Sequence, residues 1–399
     1  MQDIRVQPSP YQFAPVHQAL QRYVDADVLA GVSSAVLHGR ELVDLHCAGW
    51  ANKEQGELLR SDHIFRIFSN SKLVTSCAVL LLWEEGRFGL DAPIDSFIPQ
   101  LAQRQVLRPG ATRLNDTEPA RSAISIRHLL SHSAGLSYGL LDPGTMVYQA
   151  YSERKVLHHR NTLDGMMDKL ADLPLLFHPG TAWEYSVASD VLGRLVEVVS
   201  GQPLDAFLQS RIFAPLGMVD TGFVVPLAQQ HRLATLYHGA NVLQPLQPGL
   251  KPSDTTPFKN ANLEPSALLS GGGGLVSTLP DMLALLRSLL PGGPTLLKAD
   301  TLALMVRNQL PAGCCIRFAG VGELRGMGFG LGGAVMHTPS SIDPPDAAGE
   351  FQWGGMAGTH WWISPERNLA GLLMAQRWMG FWHPFALEFK QQVYAAVRA

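Results

Sequence analysis

Ser69-Asn70-Ser71-Lys72 places a hydroxyl and an amine three residues apart, where an irregular stretch gives way to the apolar run Leu73 to Glu85. At i and i+3 of a helix two side chains share a face, so the serine can serve as a nucleophile with the lysine as its base. A serine at a helix start also has its own N–H among the unpaired donors of the first turn, where negative charge is stabilised, which suits an acyl-enzyme oxyanion. The amine acts as a base only when neutral, and that requires burial and cationic or dipolar neighbours. The same four residues also suit an N-terminal cap followed by a snorkelling lysine. The spacing alone does not separate the two readings.

Three other motifs are set aside on structural context. Gly135-Leu136-Ser137-Tyr138-Gly139 matches GxSxG, but that nucleophile elbow needs a strand before it and a helix after it, and here a helix precedes and a loop follows. Gly328-Phe329-Gly330-Leu331-Gly332-Gly333 matches GxGxxG, yet Ala334-Val335-Met336 continues as strand and not as helix, which favours glycine-rich strand packing. His128 and His132 fall at i and i+4 of one expected helix, but Leu129 stands where HExxH has glutamate and no third ligand suggests itself. No metal and no cofactor is expected.

The elements that must position Ser69 are readable from pattern. Gly31 to Leu37 and Glu41 to Gly49 form two β-rich runs joined by His38-Gly39-Arg40, a hairpin. Helical period marks Ser125 to His132, Leu163 to Leu170, Ser189 to Ser200 and Leu204 to Phe213. After Gly271-Gly272-Gly273-Gly274 and a helix from Pro280 to about Leu290, β-like segments return at Met327 to Met336, Gly349 to Trp353, Thr359 to Ile363 and Leu369 to Ala375, before a last helix at Phe385 to Val397. Strands thus open and close the chain with helices between. That predicts one mixed sheet built from both ends: an α/β unit from 1–95 and 268–399, with a mainly helical domain inserted over 96–267.

Composition fits a protein that handles a small molecule. The 399 residues are 46% hydrophobic and 16% charged, enough for a large core. A net charge of −3 offers no global attraction to nucleic acid or to an anionic membrane. The N-terminus lacks a basic segment followed by an apolar run, no apolar stretch reaches membrane-spanning length, and the four cysteines show no CxxC pair, so a reduced cytoplasmic protein is expected. Quaternary state is not encoded in these features.

An SxxK serine also needs a proton relay from the helical region and a glycine-bearing strand to complete an oxyanion hole. Tyr185-Ser186-Val187, after Pro179-Gly180, and Trp353-Gly354-Gly355 supply candidates in that order. With Phe65 to Lys72, Ile126 to Leu136, Gly271 to Ser277 and Gly358-Thr359, these blocks resemble the serine β-lactamase and penicillin-binding-protein superfamily, most closely its class C-like esterase branch, the family VIII carboxylesterases. The resemblance implies an α+β fold with a mainly antiparallel sheet flanked by helices. It also implies Ser69 as acylated nucleophile, Lys72 as its activator, Tyr185 as the base, and the N–H groups of Ser69 and Met356 as oxyanion hole. Trp353, Gly354, Gly355 and Val187 would border the substrate.

Two departures from the β-lactamase pattern bear on substrate. Trp353 stands where penicillin-recognising enzymes carry the lysine of a KTG-type triad, so apolar surface replaces a cation that would hold a carboxylate. Val187 replaces the usual Asn of the tyrosine motif and removes an amide. Both changes point to small uncharged esters. The alternatives are β-lactam or peptide hydrolysis or acyl transfer by the same chemistry, and an inactive binding protein. The loops 140–160 and 238–262 are long enough to border such a site.

Overall fold

The computed structural model describes residues 5–139, 145–241, 244–318 and 321–398. Its main sheet has eight strands: β1 (Gly31–His38), β2 (Glu41–Asn52), β3 (Glu57–Leu58), β4 (Met327–Phe329), β5 (Ala334–Met336), β6 (Phe351–Gly355), β7 (Thr359–Ser364) and β8 (Leu369–Ala375). They lie in the order β4-β5-β6-β7-β8-β1-β2-β3. Strands from the two ends of the chain meet where β8 pairs with β1, from Val32 opposite Ala375 to His38 opposite Leu369. The sheet is therefore closed by a long-range contact between the first and last strands to be laid down.

Two expectations need correcting here. The sheet is not mixed: every pairing in it is antiparallel, between consecutive strands and across the long-range β8–β1 contact alike. Met327 to Met336 is not one segment but the hairpin β4–β5, because Gly332, at φ +103°, turns the chain where a Cβ would lie 2.2 Å from Ser76 Oγ. The glycine run is thus close packing against a helix, and no phosphate-binding turn is formed.

Side chains in the central strands alternate between two cores. Val32 and Val36 of β1 and Leu369 and Leu373 of β8 face the helices α1 (Ala14–Asp25) and, at the far end of the chain, Pro384–Arg398. Ala35, Leu37, Leu372 and Met374 face the opposite layer. That layer contains α2 (Ser71–Glu84), α3 (Ile126–Leu130), α4 (Ala188–Ser200) and α5 (Leu279–Ser288), and its apolar cluster runs without a break from Leu73 through Val191 and Leu283 to Trp361. Central strands buried on both faces are why β8 reads as an unbroken apolar run. Among the described residues no helix is long and apolar enough to cross a membrane.

Candidate active site

Ser69 sits in a single 3-10 turn, Phe68–Asn70, that leads into α2, one step earlier than a place in the α-helix itself. The turn's first backbone bond runs from Asn70 N–H to the Ile67 carbonyl, which leaves the N–H of Ser69 among the unclaimed donors of the turn. Neighbouring segments hold this turn on several sides. Ile67 N–H donates to the Leu275 carbonyl, and the Gln376 side chain bridges both backbone polar groups of Arg66. Gly355 at the end of β6 comes so close that a Cβ there would lie 2.3 Å from the Ile67 carbonyl oxygen. Phe68 carries φ +42°, a costly conformation for a bulky residue, and its ring packs edge-on against Trp378 at 5.6 Å.

The three residues expected to do the chemistry converge. Tyr185 Oη donates to Ser69 Oγ at 2.6 Å, and Lys72 Nζ lies 3.5 Å from the same oxygen. Lys72 is 2% exposed and donates at 2.6 Å to the carbonyl of Gly272, so the glycine run after β-poor sequence has a specific task. Its ammonium also lies 4.6 Å from the centre of the Tyr185 ring and 5.1 Å from that of Tyr138. Trp353 Nε1 donates to Tyr185 Oη at 3.4 Å, a long bond in which the phenol oxygen accepts while its own hydrogen goes to Ser69.

Met356 follows β6 as the first residue of the turn closed by Gly358 N–H on the Gly355 carbonyl, a bond that leaves the Met356 N–H uncommitted. Ser69, Tyr185 and Met356 line both a narrow throat and a cavity of about 620 Å³. Gly354 and Trp353 line the throat. Two expected substrate contacts are not made. Val187 is fully buried in the apolar core as the residue that precedes α4, and Gly355 is consumed by its contact with Ile67. Both sit next to site residues in sequence but face the protein interior.

The cavity wall comes partly from the two long loops. Leu157 and His159 from the first and Phe258 from the second meet over it, with the His159 and Phe258 rings stacked at 4.5 Å. Residues 140–144 and 242–243 lie outside the described residues; the rest includes a helix at Met146–Glu153 and a strand pair, Tyr237–Gly239 with Leu250–Pro252. The Arg66 guanidinium, also on the wall, donates to the carbonyls of Ala234 and Ala261.

Several participants were invisible in the motifs. Asp190, five residues after Tyr185 on α4, is fully buried; its Oδ1 accepts from Ser270 Oγ at 2.5 Å and from Gly272 N–H at 3.1 Å. It thereby fixes the loop whose carbonyl receives Lys72. Burial pushes the Asp190 carboxyl upward, and the Lys72 charge with the two hydrogen bonds pulls it back. A Cβ on Gly272 would lie 2.6 Å from Asp190 Oδ2, so glycine is required there. An acid in the first turn of a helix reads in sequence as a dipole partner, and nothing in the pattern marks it as buried. Tyr138 belongs to the rejected GxSxG match: its ring stacks on Tyr185 at 5.1 Å, and its phenol is raised well above the ordinary range by burial and by Tyr185 and Asp190. Ser137 is itself buried and binds neighbours through its backbone. His132 departs from the expected helix, which ends at Leu130; it takes φ +55°, and its Nδ1 meets both the hydroxyl and the N–H of Ser186. It supports the tyrosine motif and does not pair with His128.

This arrangement has counterparts in known proteins. The Beta-lactamase family profile matches residues 16–385. Esterase EstB of Burkholderia gladioli is 34% identical over 384 residues, covering 92% of this chain and 91% of its own. Lovastatin esterase of Penicillium rubens is 32% identical over 331 residues, 78% of this chain and 79% of its own. The solved structure of EstCE1, a hydrolase with promiscuous acyltransferase activity, superposes with a TM-score of 0.78 at 27% identity, over 95% of this chain and 97% of that one. With its fold, its Ser-Lys-Tyr cluster and a family match over nearly its whole length, this chain belongs to the Beta-lactamase family, where it stands beside esterases and acyltransferases.

Proposed function

We propose that the protein is a serine carboxylesterase that hydrolyses small uncharged esters through an acyl-enzyme on Ser69. The observation that carries this reading is the 2.6 Å bond between Tyr185 Oη and Ser69 Oγ beside a buried Lys72, at the mouth of a largely apolar cavity. In the reacting state Tyr185 is a phenolate, its own proton having left to solvent; Ser69 Oγ attacks the ester carbonyl carbon while the serine proton passes to the Tyr185 oxygen. The Lys72 ammonium offsets the negative charge that shifts between the two oxygens during transfer. The carbonyl oxygen becomes anionic between the N–H groups of Ser69 and Met356, an interaction of about 3 kcal/mol in comparable sites. Tyr185 returns the proton to the alcohol oxygen as its bond to carbon breaks. Water then repeats the sequence on the acyl-enzyme, releasing the acid and restoring Ser69.

Substrate charge follows from the wall. Trp353 brings an indole where a lysine would hold a carboxylate, and Arg66 is turned to backbone carbonyls. Transfer of the acyl group to an alcohol in place of water is the second reading, favoured by the likeness to EstCE1, a hydrolase with promiscuous acyltransferase activity. The test compares kcat/KM for p-nitrophenyl butyrate with that for nitrocefin, using Ser69→Ala as blank. The ester should be preferred by roughly 10²-fold or more, the scale of discrimination that an unmatched polar group produces, and both activities should vanish in Ser69→Ala. Equal rates, or nitrocefin ahead, would make the protein a β-lactam hydrolase.

A further inference from the structure

Beyond Trp353 lies a second cavity of about 440 Å³, lined by that ring and by no described residue of the two long loops. Between it and Ser69 lies the narrow throat, and cavity and throat share the walls Phe318, Trp353, Phe381 and Trp382. These four rings form a box: Phe318 meets Trp382 edge-on at 4.8 Å, Phe381 meets Trp382 edge-on at 4.6 Å, and Trp353 lies 5.7 Å from Phe381. The turn that carries Phe381 and Trp382, Gly380–Trp382, is seated on the chamber's floor, since the Phe381 ring stacks on His360 at 5.8 Å. Leu324 and Met327 close the far side. The volume falls within the roughly 300–1,000 Å³ of pockets that enclose a small molecule.

An ester held at Ser69 has two arms that diverge from the carbonyl carbon, and the protein has one cavity at Ser69 and a second beyond the throat. Tyr185 decides which arm goes where. Its phenol must protonate the departing alcohol oxygen, so that oxygen lies beside Oη, and Trp353 Nε1 is 3.4 Å from Oη on the chamber side. The alcohol arm then leaves past Trp353, and the acyl arm is left to the larger cavity. We propose that the aromatic chamber beyond Trp353 is the alcohol subsite, and that among uncharged short-acyl esters those of arylalkyl alcohols are preferred. The assignment rests on Ser69 being the acylated nucleophile. Four rings in edge-on and tilted contact offer an aryl group the same geometries they offer one another.

The experiment holds one arm constant while varying the other. With acetate as the acyl group, ethyl, phenethyl and naphthylethyl esters are compared; with p-nitrophenol as the alcohol, acetate, butyrate and octanoate are compared. Trp382→Ala removes a wall of the box and should lower the naphthylethyl-to-ethyl ratio of kcat/KM by roughly five- to tenfold, the size of one aromatic pair. Leu324→Trp fills the chamber and should lower it roughly tenfold or more. In both variants the acyl-length profile and the rate of acetyl-enzyme breakdown should match wild type, because the alcohol has left before that step. Free naphthylethanol should inhibit the unmodified protein competitively and quench its tryptophan fluorescence, which needs no variant to fold. An unchanged naphthylethyl-to-ethyl ratio in folded variants, a shifted acyl-length profile, or no competition by naphthylethanol overturns the assignment. Loss of all ester hydrolysis in wild type would instead refute the esterase reading itself.

Discussion

Ser69 Oγ has the Tyr185 oxygen at 2.6 Å and the Lys72 nitrogen at 3.5 Å, so the shorter path for its proton leads to tyrosine. Tyr185→Phe keeps the ring and its stacking on Tyr138 while deleting the relay. It should lower kcat by roughly 10²-fold or more, the usual size of a lost general base, with the melting temperature held near wild type. Stopped-flow acylation with p-nitrophenyl butyrate reads this step, and an unchanged rate would reduce the phenol to packing. At this scale the types and order of Ser69, Lys72 and Tyr185 made them legible as one candidate cluster, and the fold brings the three together. It did not reveal Asp190 or Tyr138, whose roles come from being brought within reach of Lys72 by the fold. Val187 and Gly355 show the converse: adjacency to a motif in sequence says nothing about which way a side chain faces.

Elements set the site through close backbone contacts. The turn Phe68–Asn70 is fixed because the end of β6 rests directly on Ile67, and Gly355 is what permits that approach. Gly355→Val would drive a side chain into a carbonyl that has no room to retreat. We expect a loss of roughly 1 to 3 kcal/mol of stability, typical of overpacking, measured by urea unfolding, and a fall in kcat/KM in the fraction that remains folded. Wild-type activity together with wild-type stability would mean that the turn does not depend on this contact. Most strands were readable as alternating or unbroken apolar runs. The hairpin β4–β5 was not, since the glycines from Gly330 to Gly333 were read as strand packing, whereas Gly332 both turns the chain and packs against Ser76. The helix expected through His132 stops at Leu130 because His132 is diverted into the tyrosine motif.

On the scale of the whole molecule, strands at both ends of the chain foretold one sheet built from both ends, and the structure closes it where β8 pairs with β1. The aromatic chamber was not foreseeable, since Phe318, Trp353 and Phe381 lie far apart in sequence and share no periodicity. The fold also buries imidazoles. Burial holds His132 well below its ordinary value and pushes His360 and His383 down to about 4. Each is neutral when folded and takes a proton more readily when unfolded, near pH 6.5. A depressed folded value means that the unfolded state binds more protons on acidification, so this contribution is complete above about pH 6.5 and is lost as the pH falls toward 4. Melting temperature should therefore decline steadily between pH 7 and about pH 4, as followed by calorimetry; a flat profile would mean that these imidazoles are solvated in solution.

Passage of acyl groups through Ser69 is read by trapping the intermediate. The protein is mixed with p-nitrophenyl butyrate, quenched in acid during turnover, and examined by intact mass and peptide mapping. One butyryl group per chain is expected, on Ser69, absent from Ser69→Ala and accumulating when deacylation is slowed. A butyryl group found on Ser137, or rapid hydrolysis by Ser69→Ala, would contradict passage through Ser69.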